Sequence, residues 1–104
     1  MTKGWIRVAT LAELPEGTTR LVDVNGNDVC LYNLGGTICA TQDMCTHAQA
    51  SLAEGFIDGD AIECPLHQAS FDIRTGRVLN PPASDDLRVY PVQVDDDGIR
   101  VLDE

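Results

Sequence analysis

Histidine is scarce in this chain: 104 residues contain only two, His47 and His67. Lysine is rarer, with Lys3 alone, so six of the seven cations are arginines. No apolar run approaches the roughly 18 residues of a membrane span, and the first ten residues, MTKGWIRVAT, lack the charged-then-apolar pattern of a secretion signal. A cytoplasmic, soluble protein with no membrane contact is expected. Sustained helical periodicity is also missing, as is any internal repeat. The acid run at residues 95–97 is most simply a solvated turn.

What the chain has in excess is negative charge: 17 Asp and Glu against 7 Lys and Arg, a net −10. Such a surface repels nucleic-acid phosphate, so neither DNA nor RNA is an expected partner. It suits brief docking against basic protein surfaces, where charge steers the encounter. The length fits one domain, residues 1–104, with 43% apolar residues to build its core. A domain this short has little stability to spare, so a bound metal centre would supply a sizeable part of it.

Four cysteines raise the question of disulfides, but a reducing compartment makes metal binding the better explanation. Cys30 and Cys39 lie in strand-like runs, D-V-C-L-Y-N and T-I-C-A-T, where a thiol serves as a small apolar interior residue. Cys45 and Cys64 sit among turn residues beside the two histidines, which is a different setting.

Gly, Pro, Asn and Asp punctuate the rest every few residues. Strands are expected at residues 5–9, 19–24, 29–33 and 37–41, with Asn25-Gly26 and Gly35-Gly36 as tight hairpin turns. Residues 56–57 and 61–63 flank Asp58-Gly59 as a small hairpin, and 70–73 form a further strand. One long strand at 87–94 and a last one at 99–102 close the chain, after a stiff loop at Pro81 and Pro82. The fold class is all-β. An antiparallel sandwich base (about 1–41 and 81–104) carries a small insert (about 42–80) that holds the Cys/His pairs.

Those pairs are Cys45-Thr46-His47, sixteen intervening residues, and Cys64-Pro65-Leu66-His67. Each loop offers one soft thiolate and one imidazole. Two scattered histidines would rarely each fall within three residues of a cysteine. Ligand count alone leaves two centres open: tetrahedral zinc as a structural staple, or a [2Fe–2S] cluster with both cysteines on one iron and both histidines on the other.

The words around the ligands resemble the Rieske family, and in particular the ferredoxin components of bacterial aromatic-ring-hydroxylating dioxygenases. They are Ala40-Thr41-Gln42-Asp43-Met44-Cys45-Thr46-His47, Ile62-Glu63-Cys64-Pro65-Leu66-His67, and the F-D-x-x-T-G of Phe71 to Gly76, followed by Pro81 and Pro82. The likeness runs from Trp5 to Leu102. It implies the Rieske fold, one [2Fe–2S] cluster on Cys45, His47, Cys64 and His67, and no catalytic residue.

The implied role is electron transfer from an NAD(P)H-dependent, flavin-containing reductase to a terminal oxygenase in aromatic compound breakdown, by a monomer. A Rieske subunit of another oxidoreductase is the alternative. An oxygenase subunit would need a separate mononuclear iron site, typically two histidines and a carboxylate. Both histidines are already spent.

Departures from the family pattern carry information. High-potential Rieske proteins have an extra disulfide between the cluster loops, and the matching positions here are Ala50 and Leu66. The serine and tyrosine that donate hydrogen bonds near their second histidine are replaced by Ala69 and Phe71. Lost donors leave the reduced cluster less stabilised, so a potential near about −150 mV rather than about +300 mV is expected. Ala48, Gln49, Leu66, Gln68, Pro81 and Pro82 would form a mostly uncharged tip around the ligands. Asp43, Glu63 and Asp72 lie near the loops, where charge most simply means a solvated face.

Overall fold

The computed structural model describes residues 4–46, 49–66, 68–80, 85–96 and 98–103. Among these residues there are eleven strands: β1 (Gly4–Ala9), β2 (Thr19–Val24), β3 (Asn27–Leu34), β4 (Thr37–Gln42), β5 (Phe56–Asp58), β6 (Ala61–Glu63), β7 (Ser70–Asp72), β8 (Val78–Asn80), β9 (Val89–Tyr90), β10 (Val92–Asp95) and β11 (Gly98–Asp103). They form three antiparallel sheets, in the orders β1-β11-β10, β2-β3-β4-β9 and β5-β6-β7-β8. The all-β expectation holds.

The middle sheet explains the layering. β3 has five consecutive buried residues, Val29 to Asn33, where a surface strand would alternate. Its side chains divide by the two-residue period of a strand. Val29 and Leu31 join one core with Ala9, Ile99 and Val101 of the terminal sheet. Cys30 and Tyr32 point the other way, into a core with Ile62 and Phe71 of the third sheet. The sheet that opens the base is thus also the floor of the cluster-bearing layer.

Local chemistry sets the turns. Asn25 and Gly26 both have positive φ (50° and 90°), the two-residue hairpin geometry that Asn-Gly favours. Gly76 has φ 80°, and a Cβ there would run into the Leu87 carbonyl, so the turn between β7 and β8 passes hard against the segment returning to the base.

Three expectations are corrected. The single strand at 87–94 is two short ones, β9 pairing with β4 and β10 with β11. Pro91 lies between them, where a missing N–H and fixed φ end one ladder and let the chain change sheets. A strand not anticipated, β8, pairs with β7 across a register shift that leaves Leu79 exposed. Two single 3-10 turns, Leu11–Glu13 and Leu52–Glu54, were also not anticipated. Both follow a Thr or Ser with Glu three positions on, and at the first the Thr10 N–H donates to Glu13 Oε1 at 2.8 Å. No helix among the described residues is long and apolar enough to cross a membrane.

Candidate metal centre

Cys45 follows β4 and Cys64 follows β6, so each leaves a strand end and opens a loop. The two loops close in the same way. The Cys45 N–H donates to the Ala50 carbonyl at 3.0 Å, and the Cys64 N–H donates to the Ala69 carbonyl at 2.7 Å. An isolated bridge between Met44 and Ser51 continues the first closure. Two loops of equal length therefore present a cysteine at the same position, at the root of each.

The thiols are 3% and 1% exposed, and belong to the core formed with Cys30, Tyr32, Ile62 and Phe71. The Cys45 side chain acts electrostatically on the Cys64 thiol, and neither is in a disulfide. Burial pushes the Cys64 thiol up; the Leu66 N–H aimed at its sulfur opposes this, and the facing Cys45 adds to the rise. A pair of buried, facing thiols with a backbone N–H on one sulfur has the donor chemistry of one thiolate-ligated iron. A metal cation beside the Cys64 sulfur would favour its thiolate against that rise.

His47 and His67, with Ala48, Pro81 and Pro82 of the expected tip, lie outside the described residues. Among the described residues no three Cys, His, Asp or Glu side chains converge. The rest of the expected tip is at the surface: Gln49 and Gln68 are exposed, and Leu66 is 46% exposed. Gln68 has φ 61°, a left-handed turn residue inside the second loop. Ala50, Ala69 and Phe71 are buried and bring no polar side-chain atom. Cys30 is buried and Cys39 half-buried, both unpaired by disulfide, as interior thiols should be.

The acids near the loops do not behave alike. Asp72 stays at the sheet end, its Oδ1 accepting the Arg74 and Thr75 N–H groups at 2.8 and 2.9 Å. Glu63 is half-buried. Asp43 overturns the solvated-face reading, because it is buried at 3%. Further links were not legible in sequence. Thr46 Oγ1 donates to the Asp85 carbonyl, and the Gln42 side chain joins the Met44 carbonyl to the Arg88 N–H. Nothing in one-letter periodicity signals such long-range polar ties.

Two buried cysteines on matched loops of an all-β frame are the donor set of a thiolate-bound metal centre. Residues 4–91 match the Rieske [2Fe-2S] domain, and the chain belongs to that family. It carries one [2Fe–2S] cluster and is an electron-transfer component, not an enzyme in its own right.

The chain is 45% identical over 102 residues to the ferredoxin component of the naphthalene 1,2-dioxygenase/salicylate 5-hydroxylase systems of Ralstonia sp, covering 98% of this chain and 96% of that protein. It is 44% identical over 95 residues to the 3-phenylpropionate/cinnamic acid dioxygenase ferredoxin subunit of Photorhabdus laumondii, 90% of each chain. Among solved structures, a chain from the complex of reduced oxygenase and oxidized ferredoxin in carbazole 1,9a-dioxygenase is similar with TM-score 0.90 at 36% identity. That likeness covers 97% of this chain and 94% of the other. The ferredoxin of carbazole 1,9a-dioxygenase from Nocardioides aromaticivorans IC177 gives 0.88 at 35% identity, covering 96% and 97%.

Proposed function

We propose that Cys45, His47, Cys64 and His67 ligate the cluster, the cysteines on one iron and the histidines on the other. The protein would then pass single electrons from an NAD(P)H-dependent reductase to the terminal oxygenase of an aromatic-ring dioxygenase system. The observation that carries this reading is the pair of matched loops, each closed by a Cys N–H bond to an alanine carbonyl and each leading to a histidine in the sequence.

Bound there, the cluster supplies a one-electron ferric/ferrous couple. The protein's part is to keep it dry and positioned. Cys45 and Cys64 anchor it from the core side, while Gln49, Leu66 and Gln68, close to the histidines in sequence, are exposed. A small, mostly uncharged tip on an acidic body suits a weak interface that exchanges quickly. Relatives named as dioxygenase ferredoxins, and a structure of one such system's oxygenase with its ferredoxin, support the oxygenase as a partner. We read the chain as one domain, residues 1–104, with a base at about 1–41 and 81–104 and the cluster-binding part at about 42–80. We also read it as a cytoplasmic monomer that works between its two partners.

Reconstitution tests the function. With a candidate reductase, a terminal oxygenase and NAD(P)H, aromatic product should form only when this protein is added, in proportion to its amount. If its cluster cycles with the reductase while every dioxygenase tested refuses its electrons, the dioxygenase assignment fails.

A further inference from the structure

Among the described residues, Asp43 is the only charged side chain that is buried, in a chain with 17 acids. Taking a carboxylate out of water costs several kcal/mol unless hydrogen bonds offset it, so its partners matter. Asp43 Oδ1 accepts the Ala53 N–H at 2.9 Å, and the Asp43 carbonyl accepts the Leu52 N–H at 2.8 Å. Its own N–H donates to the Asp28 carbonyl of β3 at 3.1 Å. One residue thereby ties the floor strand, the start of the first cysteine loop and the 3-10 turn that ends it.

The Ala53 bond is one that a local residue would ordinarily make. Ser51 stands at the N-cap of the Leu52–Glu54 turn, and a serine there normally accepts such an N–H. Here Ser51 makes no capping bond, and its buried hydroxyl has no hydrogen-bond partner. The fold uses a carboxylate ten residues away instead, across the loop that contains Cys45.

That carboxylate also projects a field into the same core. Cys30, packed in the cluster of side chains that includes Cys45 and Cys64, is pushed up to about 12 by burial; a hydrogen bond from Tyr32 opposes the shift and the Asp43 charge adds to it. Asp43 stands two residues before Cys45, so their Cα atoms are at most about 7 Å apart.

We propose that Asp43 is a positioning residue for the cluster: it clamps the first cysteine loop shut, and its negative charge holds the reduction potential low. This role rests on the four-ligand reading above. With two ferric ions, two sulfides, two thiolates and two neutral imidazoles, the oxidised centre sums to zero and the reduced centre to −1. A fixed negative charge at the root of the loop disfavours the added electron while leaving the oxidised state untouched.

Two variants separate the roles. Asp43→Asn keeps an oxygen for the Ala53 N–H and removes the charge; Asp43→Ala removes both. In the purified holoprotein, Asp43→Asn should show the wild-type visible circular dichroism spectrum, bleach in chelator within twofold of the wild-type rate, and have a midpoint potential shifted upward. Asp43→Ala should bleach roughly tenfold faster, as the loss of a charge-assisted hydrogen bond implies. A wild-type potential in Asp43→Asn, or wild-type bleaching in Asp43→Ala, overturns the proposal. Should Asp43→Ala fail to fold, the potential of Asp43→Asn still decides. Failure of the ligand reading would look different, because the wild-type protein itself would then lack a [2Fe–2S] spectrum.

Discussion

Thr46 Oγ1 donates a 2.7 Å hydrogen bond to the Asp85 carbonyl, joining the residue after Cys45 to a segment 39 residues further along the chain. A second tie runs parallel to it. Gln42 accepts the Arg88 N–H at 2.7 Å and donates to the Met44 carbonyl at 2.8 Å. The first cysteine loop is thus fastened to the segment that re-enters the base, as well as to its own far end. Rigidity of this kind keeps the geometry of a centre the same before and after an electron arrives.

Removing the hydroxyl tests that fastening. Thr46→Val keeps the side-chain shape and deletes one hydrogen bond, worth about 1 kcal/mol. Cluster loss in chelator, followed by visible absorbance, should accelerate roughly fivefold with little change in the initial spectrum. An unaltered rate would mean the bond to Asp85 contributes nothing to holding the loop.

Phe71 is fully buried among the residues that surround Cys45 and Cys64. Phe71→Tyr restores the hydroxyl found in high-potential relatives of this family. One hydrogen bond to a charged group, about 1.5 kcal/mol, corresponds to about 60 mV for a one-electron couple. Voltammetry should therefore find the potential raised by about that amount. A potential that stays put or falls would show that the missing side-chain donor does not set it.

Cys30 makes stability sensitive to alkaline pH. Its thiol, ordinarily near 9.0, rises to about 12 in the fold. A raised acid group favours the protonated folded state, so its stabilisation is complete below pH 9 and is lost as pH climbs toward 12. Between pH 8 and 10.5 the wild-type protein should lose about 2 kcal/mol more in denaturant titrations than Cys30→Ala does. Parallel pH profiles for the two proteins would contradict this.

The acidic body predicts electrostatic docking. Electron transfer to a partner oxygenase, timed by stopped flow, should slow progressively as salt is raised to about 0.5 M, where exposed charges are screened within a few ångströms. Rates indifferent to salt would place recognition in the uncharged tip alone.

Much of this was legible in one-letter code. Asn25-Gly26 marks its hairpin, V-C-L-Y reads as a strand, and the two Cys/His words mark the loops. What stayed hidden has physical reasons. Pro91 splits a well-alternating run because ladder geometry overrides side-chain pattern, and β8 is only three residues long, too short for periodicity to register. The 3-10 turn at Leu52–Glu54 is bonded by Asp43, a partner distant in sequence. Asp43 itself reads as one acid among many, since burial is a tertiary property that composition cannot reveal.

The central claim is that two histidines and two cysteines share one [2Fe–2S] cluster. Pulsed electron paramagnetic resonance of the reduced protein, labelled with 15N only in histidine, examines it directly. Two strongly coupled nitrogens are expected in the wild type, falling to one in a His67→Cys protein that keeps its cluster. A reduced wild-type spectrum with no strong histidine coupling would contradict the account.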